Sequence, residues 1–287
     1  MAPICTPFAG DGEVDHAALR RNIAAYCGAG LAGFVVAGST GEAALLEADE
    51  KLKLFATVAG AGAGRTLIAG TAAESVRETL RMIAAAAELG YHAALAITPH
   101  YYRAQMLRPE TQVGFYRAVA ERSALPVLIY DFPQMTGIDL PVEVVLKLSE
   151  HPNIIGIKES SADLEKIGRL TASLPAGFQV LVGSSAKFHD CLRLGAIGGI
   201  LAVANAIPRS TLLIYDRYRG GDVEGSHEAQ RRIVEAAGVA PRYGIQGLKY
   251  AMDLKGLYGG PARLPLLPLE EGQQAEIELL FRDPSLS

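Results

Sequence analysis

Cysteine is scarce in this chain. Cys5, Cys27 and Cys191 are the only three, an odd number at wide spacing with no C-x-x-C. That excludes a disulfide framework and a thiolate zinc site, and it points to a reducing compartment, the cytoplasm. Long apolar runs are missing as well: no stretch approaches the ~18 consecutive apolar residues of a membrane helix. The opening Met1-Ala2-Pro3-Ile4-Cys5-Thr6-Pro7 has neither the basic segment nor the apolar core of a signal peptide. Nor is there an excess of basic charge. Lys and Arg number 27 against 31 Asp and Glu, for a net charge of -4. The densest basic group, Arg217, Arg219, Arg231 and Arg232, reads as solvated helix faces, so no nucleic-acid or membrane partner is expected. There is no G-x-S-x-G elbow, no Walker loop, and no close metal-binding pair among the histidines.

Two motif matches are decoys. Gly28-Ala29-Gly30-Leu31-Ala32-Gly33 fits G-x-G-x-x-G, but a dinucleotide loop must follow a strand and open a helix. This one ends a helix and opens a strand, which predicts a helix C-cap and turn. Ser184-Ser185-Ala186-Lys187 fits S-x-x-K without its companion motifs, and Ser184 or Ser185 is expected to cap the helix that follows.

What the sequence does contain is an alternation. Eight short apolar or β-branched runs recur: Ile4–Pro7, Gly33–Thr40, Thr66–Thr71, Ala93–Pro99, Pro126–Pro133, Ile154–Ser160, Phe178–Ser185 and Gly198–Val203. Helical patterns such as Asp49–Ala61, Ser75–Leu89, Glu110–Arg122 and Asp163–Leu174 lie between them, and Ala59–Gly64 reads as a short loop at a helix end. Continuous apolar strands alternating with amphipathic helices are buried parallel strands. Eight units in this length fit a closed (β/α)₈ TIM barrel, with an open doubly wound sheet as the alternative. Beyond Val203 only helices are expected: Pro208–Arg219, Asp222–Ala237, Tyr243–Leu257 and Glu270–Phe281. Residues 1–220 then form the barrel, and 221–287 a C-terminal helical extension packed on it as one structural unit.

Barrel chemistry sits at the C-terminal ends of the strands. Those ends carry Ser39 and Thr40, Tyr101 and Tyr102, Tyr130, Lys158, Gly183 and Ile200. Lys158 is the informative one, because it interrupts the apolar run Ile154-Ile155-Gly156-Ile157. A lysine there is costly unless paired or used. A buried amine holds its proton less tightly and attacks carbonyl carbon. Pairing with Glu159 or Asp131 is the structural alternative. Gly38-Ser39-Thr40-Gly41-Glu42 ends a strand with two hydroxyls between glycines, a composition suited to binding a small carboxylate, though a plain turn has the same composition. Tyr130 lies on the strand next to Lys158 and has a phenol that can move a proton.

At these residues the chain resembles the dihydrodipicolinate synthase / N-acetylneuraminate lyase family of Schiff-base aldolases. The resemblance runs through Thr6-Pro7-Phe8, Gly38 to Glu42, Tyr130 to Gly137, Gly156 to Ser160, and Gly195 to Asn205. It implies a cofactor-free lyase in which Lys158 forms an imine with pyruvate or another 2-oxo acid. It implies that Tyr130 shuttles protons, that Ser39 links it to a second tyrosine, Tyr101, reaching from a neighbouring subunit, and that Ser39 and Thr40 hold the pyruvate carboxylate. Gly183, Ile200 and Ser160 would line the pocket, and the assembly would be a homotetramer. Synthases of this family carry Arg where this chain has Met135. The segments Thr98 to Arg103, Thr136 to Pro141, His151 to Ile154, Gly244 to Lys249 and Gly259 to Pro261 look like 4-hydroxy-2-oxoglutarate aldolase, although Thr40 stands where that aldolase tends to have Asn. Arg103 would then meet the distal carboxylate of the substrate, or else be a surface arginine. Cleavage of 4-hydroxy-2-oxoglutarate to pyruvate and glyoxylate is the leading expectation. Condensation of pyruvate with aspartate semialdehyde, and a non-catalytic 2-oxo-acid binder on the same scaffold, are the alternatives.

Overall fold

The computed structural model describes every residue except Ala63. Eight parallel strands form one sheet in chain order, each paired with the next. They are β1 (Ala2–Pro3), β2 (Gly33–Val36), β3 (Thr66–Gly70), β4 (Ala93–Ile97), β5 (Val127–Asp131), β6 (Ile154–Glu159), β7 (Gln179–Val182) and β8 (Gly198–Gly199). The Leu201 amide donates to the Met1 carbonyl at 3.1 Å, joining the last strand region to the first. Each crossover carries helix: α1 (His16–Ala29), α2 (Ala48–Ala61), α3 (Val76–Glu88), α4 (Arg103–Met106), α5 (Pro109–Ala120), α6 (Pro133–Thr136), α7 (Val142–Ser149), α8 (Leu164–Ser173), α9 (Phe188–Arg193) and α10 (Pro208–Arg219). Three more follow: α11 (Val223–Ala237), α12 (Val239–Leu254) and α13 (Glu271–Phe281).

The strands are apolar on both faces because both are covered. Successive side chains on a strand point to opposite faces. One set of alternate residues, among them Val35, Ile68, Leu95, Leu128, Tyr130, Leu181 and Ile200, packs together inside the barrel. The other set meets the helices. Helix starts are marked by side-chain caps: Asp15 to the Ala18 amide, Ser75 to Glu78 and Asp163 to Glu165 and Lys166. Gly30, in the left-handed region at φ 91°, closes α1 as the G-x-G-x-x-G decoy required.

The differences from expectation lie at element ends. The first strand is Ala2–Pro3 rather than Ile4–Pro7; of the later segment only the Ile4 amide still bonds β2, through Val35. Gly33–Thr40 and Gly198–Val203 are strand for only four and two residues before the chain tightens into 3₁₀ turns at Ser39–Gly41 and Ala202–Asn205. Glycine and small residues there make the tight turns cheap. Helix α2 runs on through Ala61 with Gly62 as its cap, and Ala63, within the expected loop, lies outside the described residues. Neither Ser184 nor Ser185 caps a helix, because α9 begins only at Phe188, with Lys187 at its N-cap. Helix α12 starts at Val239 and is broken at Gly244, whose φ of 72° and ψ of -168° no helix contains.

Candidate active site

Tyr130 on β5, Lys158 on β6 and Leu181 on β7 are register partners. Tyr130 and Leu181 point into the barrel, so Lys158 does too. Its side chain is buried, and its Nζ lies 4.1 Å from the centroid of the Tyr130 ring. The ring stacks in turn on Phe132 at 5.7 Å. The structural alternative for this lysine fails on geometry. Asp131 pairs with Lys166, Glu159 accepts from the Ser161 amide, and among the described residues Lys158 forms no ion pair. An amine held against a phenol, with no acid to neutralise it, is free to react with a carbonyl that enters.

Room for that carbonyl depends on Gly183. A Cβ there would collide with Ser160 Oγ and lie 3.3 Å from Lys158 Cε. Gly183 therefore brings the two side chains close together at the end of β7. Ser160 Oγ is buried without a hydrogen-bond partner, whereas its amide donates to the Asp131 carbonyl at 3.0 Å. Ile200, just beyond β8, is buried in the barrel interior and its amide donates to Val182 at 2.9 Å.

At the end of β2, Ser39, Thr40 and Gly41 form a single 3₁₀ turn. The amides of Ser39 and Thr40, and both hydroxyls, have no partner among the described residues. The turn is held at its other groups: Gly41 and Ala43 donate to the Gly38 carbonyl, and Thr6 Oγ1 donates to the Gly41 carbonyl at 2.7 Å. Ala37 and Glu42 bracket it at positive φ, 53° and 57°. Among the described residues the remaining non-glycine case is Ala162, just after β6. Each such residue costs about 1–2 kcal/mol, and such strain gathers where a loop is shaped for binding. Two free amides and two hydroxyls on one short turn suit a carboxylate.

The β4 end is built differently. Glu74 accepts from the amides of His100 and Tyr101 at 2.9 and 3.0 Å and pairs with His100 Nδ1 at 3.1 Å. This carboxylate fixes the loop, yet Tyr101 and Tyr102 stay exposed at 78% and 72%, packed edge to face. Within one chain Tyr101 is thus not gathered to Lys158 and Tyr130. Arg103 turns toward the β5 loop, where its Nε donates to the Gly137 carbonyl at 3.1 Å, and among the described residues the outer guanidinium nitrogens are unused. Met135 on α6 is exposed, and Gln134 beside it donates to the Ser161 carbonyl.

One cluster was not visible in the sequence. Asp131 and Glu159, the register partners following Tyr130 and Lys158, are wholly buried on the outer face of the sheet. Lys166 of α8 lies 2.5 Å from both Asp131 and Asp139. Burial pushes the Asp131 carboxyl up to about 7 against the pull of Lys166, with Asp139 and Glu159 adding to the rise. Glu159 is also raised by burial, countered by the Ser161 contacts. Burial works against the Lys166 charge, but the two carboxylates outweigh it and hold its proton more firmly. The acids could be read from the sequence, but the lysine that joins them lies on another element.

Comparison with known proteins bears on the family and the fold. Residues 1–283 match the model of the dihydrodipicolinate synthetase family. The chain is 36% identical to a 4-hydroxy-tetrahydrodipicolinate synthase of Xanthomonas axonopodis pv. citri, over 99% of this chain and 93% of that one. It is 33% identical to a probable mitochondrial 4-hydroxy-2-oxoglutarate aldolase of Emericella nidulans, over 98% and 93%. Among solved structures, the chloride-inhibited dihydrodipicolinate synthase of Acinetobacter baumannii complexed with pyruvate superimposes with a TM-score of 0.94 at 29% identity, covering 100% of this chain and 98% of that one.

Proposed function

We propose that this chain, which belongs to the dihydrodipicolinate synthetase family, is a class I aldolase cleaving 4-hydroxy-2-oxoglutarate into pyruvate and glyoxylate through an imine on Lys158. The observation that carries this reading is the buried Lys158 amine over the Tyr130 ring, free of any acid partner.

The substrate's C1 carboxylate sits on the Ser39 and Thr40 amides and hydroxyls. The Lys158 amine attacks C2, and water leaves as the imine forms. Tyr130 takes and returns the protons of this exchange, completed by the Ser39 hydroxyl and by Tyr101 from a neighbouring copy. The protonated imine then acts as the electron sink. Loss of the C4 hydroxyl proton breaks the C3–C4 bond, glyoxylate departs, and the electron pair stays as an enamine on Lys158. Protonation at C3 and hydrolysis release pyruvate. Ser160, Gly183 and Ile200 line the pyruvate end. The unused nitrogens of Arg103 receive the distal carboxylate. No step calls for a metal or organic cofactor. The role given to Tyr101 requires at least a dimer, and a homotetramer is the expected assembly.

The names of the synthase relatives favour a second reading, condensation of pyruvate with aspartate semialdehyde. Met135 weighs against it, since a thioether neither neutralises nor hydrogen-bonds the aldehyde's carboxylate. The test is to incubate the protein with pyruvate, reduce with borohydride and map the adduct. A reduced pyruvyl group on Lys158, absent from Lys158→Ala, supports the imine. Its absence from the folded wild type overturns it in favour of a binding protein. Product analysis with glyoxylate and with aspartate semialdehyde then separates the two aldehydes.

A further inference from the structure

Three sequence segments that the mechanism leaves idle meet at one point behind the carboxylate turn. Glu42 closes that turn: its amide donates to the Ser39 carbonyl at 3.1 Å. Its side chain is buried and faces away to the C-terminal part of the chain. Oε1 lies 2.5 Å from Lys249 Nζ of α12, and Oε2 accepts from the Arg263 amide at 2.8 Å. Lys249 is itself buried and also donates to the Pro261 carbonyl at 2.8 Å. Both cations lie over the Phe8 ring, Lys249 Nζ 4.4 Å and Arg263 Cζ 4.3 Å from its centroid. Arg263 continues to Glu50 on α2, to the Leu45 carbonyl and to the Gly12 carbonyl. Gly259 passes so close to the Lys249 backbone that a Cβ there would overlap it.

We propose that Glu42 is a positioning residue for substrate binding: held by Lys249 and the Arg263 amide, it fixes the Ser39–Gly41 turn so that its free amides and hydroxyls meet the carboxylate of the 2-oxo acid. Three features support this role. A buried glutamate at φ 57° is costly twice over, in charge burial and in backbone. Among the described residues, the contacts that compensate it come from the far end of the chain. The groups on the other side of the same turn are the ones left unpaired. The C-terminal helices are thereby part of the binding apparatus, acting through one carboxylate.

This inference rests on the imine reading above, and the experiment separates the two. Borohydride trapping at Lys158 is measured with pyruvate and with methyl pyruvate, which keeps the ketone but lacks the carboxylate. Wild type is compared with Glu42→Gln, Lys249→Met and, as a destabilised control remote from the turn, Ile83→Ala. Glu42→Asp keeps the charge and tolerates the left-handed backbone, and it replaces any variant that does not fold. The preference for pyruvate over methyl pyruvate is expected to fall about tenfold in the Glu42 and Lys249 variants, the worth of a charge-assisted hydrogen bond to the carboxylate. In Ile83→Ala it stays at the wild-type value. If both ketones slow equally, or the ratio does not move, the positioning role is overturned while the imine reading stands. If wild type gives no adduct, the imine reading fails and this inference with it.

Discussion

Gly183→Ala adds a single methyl at the point where the candidate site is tightest. The new carbon would collide with Ser160 Oγ, sit 2.9 Å from Ser160 Cβ and 3.3 Å from Lys158 Cε. Carbon contacts settle at about 3.5–4.0 Å. Ser160 must therefore retreat by roughly 0.6 Å or more, and Lys158 by a few tenths of an ångström. Gly183 is not in the left-handed region, so alanine is compatible with the backbone and the penalty is steric alone. Overpacking of this kind costs about 1–3 kcal/mol, offset by roughly 0.4–1 kcal/mol from a stiffer unfolded chain. The net effect on Tm is a fall of a few degrees, at about 2–4 °C per kcal/mol for a chain of this size. The effect on chemistry is larger, because displacement of a reacting group by a fraction of an ångström to one ångström costs about 10- to 100-fold. The assay is the rate of borohydride trapping at Lys158, read beside thermal unfolding. Ser160→Gly combined with Gly183→Ala removes the obstructing side chain and should recover most of the lost rate. Wild-type trapping in Gly183→Ala, or no recovery in the double variant, would refute the argument that these atoms compete for one space.

Met135→Arg is expected to reduce cleavage of 4-hydroxy-2-oxoglutarate with no change in unfolding temperature, since the side chain is exposed; unchanged kinetics would remove Met135 from the specificity argument. Glu74→Gln weakens the anchor on the His100 and Tyr101 amides and should lower kcat for cleavage by about tenfold, the value of one charge-assisted contact, leaving the KM for 4-hydroxy-2-oxoglutarate near its wild-type value. Asp131 gives a pH dependence with a definite sign. Its folded carboxyl titrates near 7, above its ordinary value of 3.8, so the folded state binds a proton that the unfolded chain releases. The contribution of this one group to stability is therefore greatest in acid and is lost as pH rises through about 7, by on the order of 2–4 kcal/mol. Asp131→Asn should flatten that decline in thermal melts between about pH 5 and 8, and an equally steep decline in the variant would exclude Asp131 as its source.

The barrel could be read in the sequence because its strands are covered on both sides, so runs such as Ala93–Ile97 and Val127–Asp131 are apolar at almost every position. Lys158 stood out for the same reason, as a charge within an apolar run. Ends were harder to read. At Ser39–Gly41 and at Gly198–Gly199 the residues themselves are small enough to turn or extend, and tertiary contacts decide which. The supports of the site were least visible. Glu42 and Arg263 are joined across 221 positions, and Lys166 finds Asp131 and Asp139 only once α8 has packed on the sheet. Periodicity records which face a residue takes, but not which distant residue will meet it there.

The pairing of Tyr130 with Lys158, and of Asp131 with Glu159, also constrains how this sequence can drift. Beyond the irregularity at Ile155, side chains alternate between the two faces, so deleting Gly156 or Ile157 would exchange Lys158 for Glu159 at the barrel centre. The lumen would then hold a carboxylate beside a phenol, and the lysine would be thrust among Asp131, Lys166 and the helices. Substitutions can accumulate gradually in this strand, but length changes cannot. In the descent of such a chain, insertions and deletions should be absent between Gly156 and Ser160 and should collect in the crossovers beyond.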